Sequence, residues 1–245
     1  MNILGVIPAR FASSRFPGKP LADIKGKPMI QRVYAQCQQA HSLNKIVVAT
    51  DDLRIFEAVL AFGGEAVMTS ADHQSGTDRC REALQKQNSV FDAVVNIQGD
   101  EPAIHPEQID QLAELLQKQK FDIATLAHPV SDETELFNPN VVKVVCSEQG
   151  KALYFSRSPI PYVRGAAEAD WLKHFHYLRH VGMYAYLTPV LEQIAGLALS
   201  PLEKAESLEQ LRWLENGYNI GVGITHQLNT GVDTPEDLEK IRNFF

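Results

Sequence analysis

The sequence contains little cysteine and no excess of positive charge. Its three cysteines, Cys37, Cys80 and Cys146, lie far apart and outside any C-x-x-C pair, which favours a reducing compartment over a disulfide framework and predicts ordinary core thiols. The 30 acidic residues outnumber the 23 basic ones and are spread along the chain, giving a net charge of −7. No sequence-wide basic field is available for nucleic acid, so any bound phosphate must be held locally.

Long apolar runs are also missing. The first apolar run ends at Pro8-Ala9-Arg10, has no basic leader and is too short for the core of a signal peptide. No later apolar run approaches the length of a membrane span. We therefore expect a cytoplasmic protein without a membrane partner. The 245 residues show no internal repeat or linker and suit one large α/β domain.

Short apolar runs alternate with segments of helical spacing along the chain. The runs at 3–7, 45–50 and 92–97 predict buried strands, and the spacing at 29–40 and 76–87 predicts helices between them. Strands that alternate with helices in this way form parallel sheets joined by right-handed crossovers. The predicted fold class is therefore α/β, with a mostly parallel, Rossmann-like sheet and helices on both of its faces.

The pattern changes in the second half of the chain. Residues 141–187 are rich in strand-forming residues around turn residues Gln149-Gly150, which predicts a small antiparallel, β-rich subdomain. A helix with a capping-box start is predicted to begin near Ser200 and to continue through Leu214.

The loop after the first strand concentrates positive charge. In GVIPARFASSRFPGKPL, Arg10, Arg15 and Lys19 are interleaved with Ser13 and Ser14. Loops at the carboxyl ends of parallel strands bind ligands, and arginine and lysine are the side chains that grip phosphate oxygens. The loop matches neither the P-loop nor the dinucleotide motif. The residues alone predict an anion-binding loop, with solvated charges as the alternative.

Two aspartates are candidates for a metal site. Asp100 follows the predicted strand at 92–97, and Asp233 precedes a helix that starts at Thr234. Magnesium is commonly held by one or two carboxylates together with substrate phosphates, so this pair is chemically sufficient. Either aspartate could instead serve a turn or a helix terminus, and Glu101 is a competing carboxylate.

Eight motifs, in order along the whole chain, resemble those of the sugar cytidylyltransferases that make CMP-activated 3-deoxy-manno-octulosonate (KDO). They are IPARFASSRFPGKPL, ADHQSGTDR, NIQGDEP, FNPNVVKVV, ALYFSR, RHVGMYAY, SLEQLR and GVDTPEDLE. The resemblance implies a nucleotide-diphospho-sugar transferase-like fold in one cytidylyltransferase domain, residues 1–245. It also implies transfer of CMP from CTP to the anomeric hydroxyl of KDO, with Mg²⁺ as cofactor, for lipopolysaccharide synthesis by a homodimer.

The resemblance implies a role for each matching residue. The implied catalytic residues are Arg10, Lys19, Asp100 and Asp233, of which Asp100 and Asp233 are the implied magnesium ligands. The implied nucleotide-binding residues are Arg10, Ser13, Ser14, Arg15, Lys19, Ser75 and Gly76. The implied sugar-binding residues are Gln98, Arg157, His180, Tyr184, Glu209 and Gln210.

Simpler explanations exist for several of these residues. His180 and Tyr184 would share one face of a strand, where aromatic rings usually belong to the core, and Ser75 fits the cap of a helix. Glu209 and Gln210 could be solvent-exposed on the helix from Ser200. Arg157 ends a buried run and needs a partner, for which a sugar carboxylate is suited.

Two other functions remain open. One is a cytidylyltransferase for sialic acid or for an 8-amino analogue of KDO, although His73-Gln74 in ADHQSGT looks more like the KDO enzymes than the 8-amino kind. The other is a nucleotide-binding protein without catalysis, which would be expected to lose a carboxylate or the loop lysine.

Overall fold

The computed structural model describes residues 1–12, 16–118 and 120–245. Its strands are β1 (Ile3–Ala9), β2 (Asp23–Ile24), β3 (Lys27–Pro28), β4 (Lys45–Thr50), β5 (Ala66–Met68), β6 (Ala93–Asn96), β7 (Ile123–Pro129), β8 (Lys143–Cys146), β9 (Ala152–Ser156), β10 (Leu178–Leu187) and β11 (Ile220–Ile224). Its helices are α1 (Met29–Cys37), α2 (Leu53–Ala61), α3 (Gly76–Gln85), α4 (Pro106–Gln117), α5 (Glu133–Phe137), α6 (Trp171–His174), α7 (Thr188–Ile194), α8 (Pro201–Glu206), α9 (Glu209–Glu215) and α10 (Pro235–Arg242).

The central sheet has the strand order β11-β7-β10-β6-β1-β4-β5. β1 pairs in parallel with β4 and β6, β4 with β5, and β11 with β7, whereas β10 is antiparallel to both β6 and β7. Six strands therefore run in one direction and end at the same edge, where ligands of α/β proteins bind. The predicted mostly parallel sheet is confirmed.

Helices cover both faces of this sheet. On one face, α3, α7 and α9 contribute Cys80, Leu191 and Trp213 to a core of buried residues. On the other, α1, α2 and α4 contribute to a second core of buried residues, which includes Cys37. Both of these cysteines are free buried thiols, as predicted, whereas Cys146 is free but partly exposed. The two largest cores therefore lie on opposite faces of one sheet, and smaller buried clusters form around Ile24 and Trp171.

The antiparallel pairing predicted within 141–187 is present. β8 pairs with β9 and with the first residues of β10, and all three belong to the same sheet as the parallel strands. β10 also changes register between Val181 and Tyr184, where Gly182 is exposed. The division into one domain with a subdomain stays a prediction.

The helix predicted from Ser200 through Leu214 is wrong in its length. Ser200 and Glu203 form the expected capping box, but α8 ends at Glu206, and the following residue, Ser207, adopts a left-handed backbone with φ of 52°. A second helix, α9, begins at Glu209. The break orients Glu209 independently of α8, so it occupies the first turn of its own helix.

No helix in the part of the chain that the structure describes is long and apolar enough to cross a membrane.

Candidate active site

The charged loop returns to the sheet edge at Gly18. Its N–H donates to the carbonyl oxygen of Phe11 at 2.9 Å, and its backbone has φ of 72° with the Phe11 ring beside it. Glycine adopts this left-handed conformation without steric cost. The next residue, Lys19, is thereby brought back toward the ends of the strands.

Lys19 joins the two predicted metal-binding aspartates. Its Nζ lies 2.7 Å from Asp100 Oδ2 and 3.4 Å from Asp233 Oδ1. The lysine side chain is 12% exposed, whereas those of Asp100 and Asp233 are 33% and 48% exposed. Three of the four predicted catalytic residues, from motifs up to 214 positions apart, therefore meet in one small volume that opens to solvent.

Backbone contacts hold these two aspartate loops together. The N–H of Val232 donates to the carbonyl oxygen of Asp100 at 2.9 Å. The preceding Gly99 packs so closely on β1 that a Cβ there would lie 2.6 Å from the carbonyl oxygen of Pro8. Glycine is required at this close approach because no side chain fits. Asp100 is thus positioned by the backbone as well as by Lys19.

Glu101 faces away from the Lys19 group. Its Oε2 accepts a hydrogen bond of 2.7 Å from Asn229 Nδ2. Burial raises the pKa of the Glu101 carboxyl to about 7, and the charge of Asp100 acts in the same direction. Glu101 therefore contacts Asn229 rather than Lys19, and it lines a small cavity together with His180 and Gly182.

The predicted nucleotide-binding residues Ser75 and Gly76 lie at the same sheet edge. Ser75 is the N-cap of α3, and its Oγ accepts from the N–H of Asp78 at 3.1 Å. A Cβ on Gly76 would lie 3.3 Å from Asn96 Nδ2, at the carboxyl end of β6. The predicted role of Ser75 as a helix cap is confirmed. The start of α3 also lies beside the carboxyl ends of the strands.

Arg10 directly follows β1 and adds positive charge at this edge of the sheet. A second arginine, Arg79, is buried nearby. Arg79 is 0% exposed and lies 3.4 Å from Asp51. Burial lowers the pKa of Arg79, Asp51 opposes the shift, and the charge of Arg10 adds to it. The remaining predicted nucleotide-binding residues, Ser13, Ser14 and Arg15, lie outside the described residues.

Arg157 is bound by backbone carbonyls. Its Nε donates to Glu206 O at 2.6 Å, Nη1 to Pro139 O at 3.0 Å and Nη2 to Ser207 O at 3.3 Å. Carbonyl acceptors leave the formal charge of the guanidinium in place, and three of its five N–H groups are used in these bonds. The side chain is therefore held at the turn between α8 and α9, two residues before Glu209.

The rings of His180 and Tyr184, both on β10, belong to one cluster of aromatic side chains. Their ring centroids are 5.2 Å apart, and Tyr184 also packs edge-on against Trp213 of α9 at 5.0 Å. Burial lowers the pKa of His180 to about 3, so its imidazole is neutral at physiological pH. Tyr184 is buried, as the core explanation predicts, whereas the His180 ring packs into the same group and leaves part of the residue exposed.

The tautomer of His180 is coupled to the hydrogen bond that Thr125 donates. Its Nε2 lies 2.9 Å from Thr125 Oγ1, and the same hydroxyl donates to the carbonyl oxygen of Met183 at 2.8 Å. A hydroxyl has one proton, so in the arrangement in which Thr125 donates to Met183 it accepts from His180, and the imidazole carries its proton on Nε2. The Nδ1 atom is then a hydrogen-bond acceptor.

Gln98 links the predicted sugar-binding strand β10 to the loop that carries Asp100. It precedes Gly99 and Asp100, and its Nε2 donates to the carbonyl oxygen of Gly182 in the irregular part of β10. Gln210, by contrast, is 5% exposed on α9. Of the predicted sugar-binding residues, Gln98 is tied most directly to the Lys19 group.

The carboxylate of Glu209 is fixed by two donors. Thr77 Oγ1 donates to Oε2 at 2.9 Å and Arg212 Nη2 to Oε1 at 3.0 Å. Burial raises the pKa of Glu209, whereas Thr77 and Arg212 lower it. The glutamate is thus not a solvated surface residue, which was the simpler explanation.

The chain matches the family model described as Cytidylyltransferase over residues 4–221. It belongs to the cytidylyltransferase family. A relative from Parabacteroides distasonis, named 3-deoxy-manno-octulosonate cytidylyltransferase, is 57% identical over 100% of this chain and 98% of its own length. A relative of the same name from Thermodesulfovibrio yellowstonii is 49% identical over 98% of this chain and 96% of its own length.

Solved structures agree with this family assignment. That of a CMP:2-keto-3-deoxy-manno-octonic acid synthetase complexed with CTP has a TM-score of 0.92 to this cytidylyltransferase and is 46% identical, with 100% of this chain and 98% of the other covered. A cytidylyltransferase from Leptospira borgpetersenii has a TM-score of 0.65 at 16% identity, covers 100% and 88% of the two chains, and shows the shared fold.

Some residues of this cytidylyltransferase site had no role assigned from sequence. Thr77 and Arg212 lie within the quoted motifs ADHQSGTDR and SLEQLR, and the three-residue spacing of Arg212 from Glu209 is a signal of contact on a helix. Thr125 carried no such signal, because its contact with His180 depends on the pairing of β7 with β10.

Proposed function

We propose that this cytidylyltransferase transfers CMP from CTP to the anomeric hydroxyl of KDO, giving CMP-KDO and pyrophosphate. The observation that carries the proposal is the meeting of Lys19, Asp100 and Asp233 at the carboxyl edge of the sheet. Full-length relatives named for this activity support the same acceptor sugar. Transfer of this kind depends on alignment of the reacting groups and on neutralisation of phosphate charge.

The donor set of Asp100 and Asp233 fits a magnesium ion. Both carboxylates contact the Lys19 ammonium, which holds them close together, and in this proposal they are the two ligands that the protein supplies. Magnesium sites of this kind take their other ligands from phosphate and water. When bound, the ion would neutralise phosphate charge and help to orient the reacting oxygens.

The cationic side chains bind the triphosphate in this proposal. Lys19 can exchange an aspartate oxygen for a phosphate oxygen, because an ammonium donates in several directions. Arg10 adds a second cation where β1 ends, and the predicted role of Arg15 is of the same kind. The start of α3 at Ser75 and Gly76 offers backbone N–H groups to the nucleotide.

The acid sugar is bound on the other side of Asp100. The two remaining N–H groups of Arg157 can donate to its carboxylate, and a charge-assisted pair of this geometry is strong. Neutral His180 accepts from a sugar hydroxyl through Nδ1, and the fixed carboxylate of Glu209 accepts from another. Gln98, Tyr184 and Gln210 are the remaining predicted residues of this pocket, of which Tyr184 and Gln210 are almost fully buried in this structure.

A pyrophosphate-release assay with CTP and a panel of acid sugars tests this function. KDO is expected to give the highest kcat/KM, and release is expected to require a divalent cation. A higher kcat/KM with sialic acid or with the 8-amino analogue would assign a different acceptor. Absence of release with every acid sugar, from protein that binds CTP, would favour the non-catalytic alternative.

We also propose that the protein is a homodimer. Large apolar side chains are exposed beside the antiparallel strands, among them Leu153 on β9, Phe175 and Ile224. Phe175 and Ile224 line a cavity of about 320 Å³ together with residues of β8. Sedimentation analysis tests the proposal, since Leu153→Asp is expected to shift a dimer toward monomer.

A further inference from the structure

The Glu209 carboxylate is oriented by two residues that lie behind it. Thr77 is 1% exposed and binds Oε2, and Arg212 is 9% exposed and binds Oε1. These two donors bind different oxygens and so restrict rotation of the carboxylate plane, and Ser75 at the start of α3 also stabilises the charged form of Glu209. A carboxylate accepts about four hydrogen bonds in all, so acceptor capacity remains for a hydroxyl group on the open side.

Arg212 is itself held by the segment before α9. Its Nε lies 3.1 Å from Glu203 Oε2, and its Nη1 donates to the carbonyl oxygen of Leu197 at 2.9 Å. Glu203 in turn closes the capping box with Ser200. Both anchors of the guanidinium therefore lie before the helix break at Ser207, and they restrict where Arg212 can hold Glu209.

Thr77 links Glu209 to the nucleotide side of the site. It follows Ser75 and Gly76 at the start of α3, and its bond to Glu209 spans 132 positions in sequence. Its hydroxyl also lies 3.4 Å from the Tyr186 hydroxyl on β10. The threonine is buried under the site, so it can influence a substrate only through the groups that it contacts.

We infer that Thr77 and Arg212 are positioning residues for the acid sugar, acting through Glu209 and touching neither substrate. The inference rests on the proposed function. A carboxylate that is already oriented loses little side-chain freedom when the sugar binds, which strengthens binding without a new contact. Loss of either donor lets the Glu209 carboxylate rotate away. Binding of the acid sugar is then weakened, whereas binding of CTP is not.

Steady-state kinetics of Thr77→Val and Thr77→Ser test the inference. Valine has nearly the same shape but no hydroxyl, and we expect it to raise the KM for KDO about tenfold, as for a lost hydrogen bond to a charged group. The KM for CTP is expected to stay within about twofold of the wild-type value. Serine keeps the hydroxyl and is expected to restore the KM for KDO.

Thr188→Val is the matched control. Thr188 donates to the carbonyl oxygen of Phe91 at 2.7 Å and lies at the start of α7, at the opposite edge of the sheet. The variant loses one hydroxyl–carbonyl bond without touching Glu209. Its KM values are expected to match those of the wild type, which separates positioning from a general loss of stability.

A double-mutant cycle decides whether Thr77 acts through Glu209. In a Glu209→Ala background, Thr77→Val and Arg212→Lys are expected to add no further rise in the KM for KDO. A full additional rise, a rise in the KM for CTP instead, or an unchanged KM for KDO in the single variants would each overturn the inference. Failure of the wild type to make CMP-KDO would instead refute the proposed function, so the two failures are distinguishable.

Discussion

Asp100→Asn separates the catalytic role of this carboxylate from its structural one. The substitution keeps the shape of the side chain and an acceptor oxygen for Lys19 Nζ, now 2.7 Å from Oδ2. It removes one negative charge from the pair that would hold magnesium. The backbone bond from Val232 to the carbonyl oxygen of Asp100 does not depend on the side chain and is retained.

The expected effects on stability and on activity differ widely. Because the aspartate is 33% exposed and the amide still accepts a hydrogen bond, the free energy of unfolding should change by at most about 1 kcal/mol. A typical domain is stable by about 5–15 kcal/mol, so the variant stays folded. Loss of a group that stabilises transition-state charge lowers kcat by about 10²–10³-fold.

Pyrophosphate release at saturating CTP and KDO, followed across a magnesium titration, measures the effect. Thermal unfolding of the same preparation checks the fold. Glu101→Gln is the matched control, since it neutralises the adjacent carboxyl, which faces Asn229 rather than Lys19. A kcat of Asp100→Asn within about threefold of wild type, or an equal loss in Glu101→Gln, would refute the metal assignment.

Three further predictions concern other parts of the site. Arg157→Lys should raise the KM for KDO and leave the KM for CTP unchanged, because lysine lacks the planar fork that binds a carboxylate; an equal rise in both KM values would contradict this. Gly99→Ala should lower the free energy of unfolding by about 1–3 kcal/mol in urea titrations, because its Cβ would lie 2.6 Å from Pro8 O; an unchanged midpoint would show that the loop adjusts freely. Burial lowers the folded-state pKa of His180 to about 3, so its contribution to stability is present above the unfolded pKa of about 6.5 and is lost as the pH falls toward 3. The melting temperature of His180→Gln should therefore fall less between pH 7 and pH 4 than that of the wild type, and parallel curves would argue against a buried neutral imidazole.

Local patterns were sufficient to predict the elements of the fold. The alternation of apolar runs and helical spacing predicted strands at 45–50 and 92–97, which correspond to β4 and β6. The caps at Ser75, Ser200 and Thr234 were also correct, because each depends on a side chain and a backbone N–H a few residues away.

Long-range geometry was not available from these patterns. The end of α8 depends on Ser207 in a left-handed conformation, which the sequence does not mark with glycine or asparagine. The bond from Thr77 to Glu209 and the position of Thr125 beside His180 arise only when distant strands pair. The contact of Lys19 with Asp100 and Asp233 could be expected only from the resemblance of their three motifs to those of one enzyme family.

The placement of β10 has a consequence for how the chain is made. β10 lies between β6 and β7 and pairs with both, although it follows them in sequence by more than 45 residues. During synthesis, the inner edges of β6 and β7 therefore have no strand between them until residue 187 has left the ribosome. Unpaired strand edges promote association between chains. A chain truncated after residue 170 should accumulate as soluble aggregates in size-exclusion chromatography, whereas a monodisperse fragment would show that the two edges are protected in another way.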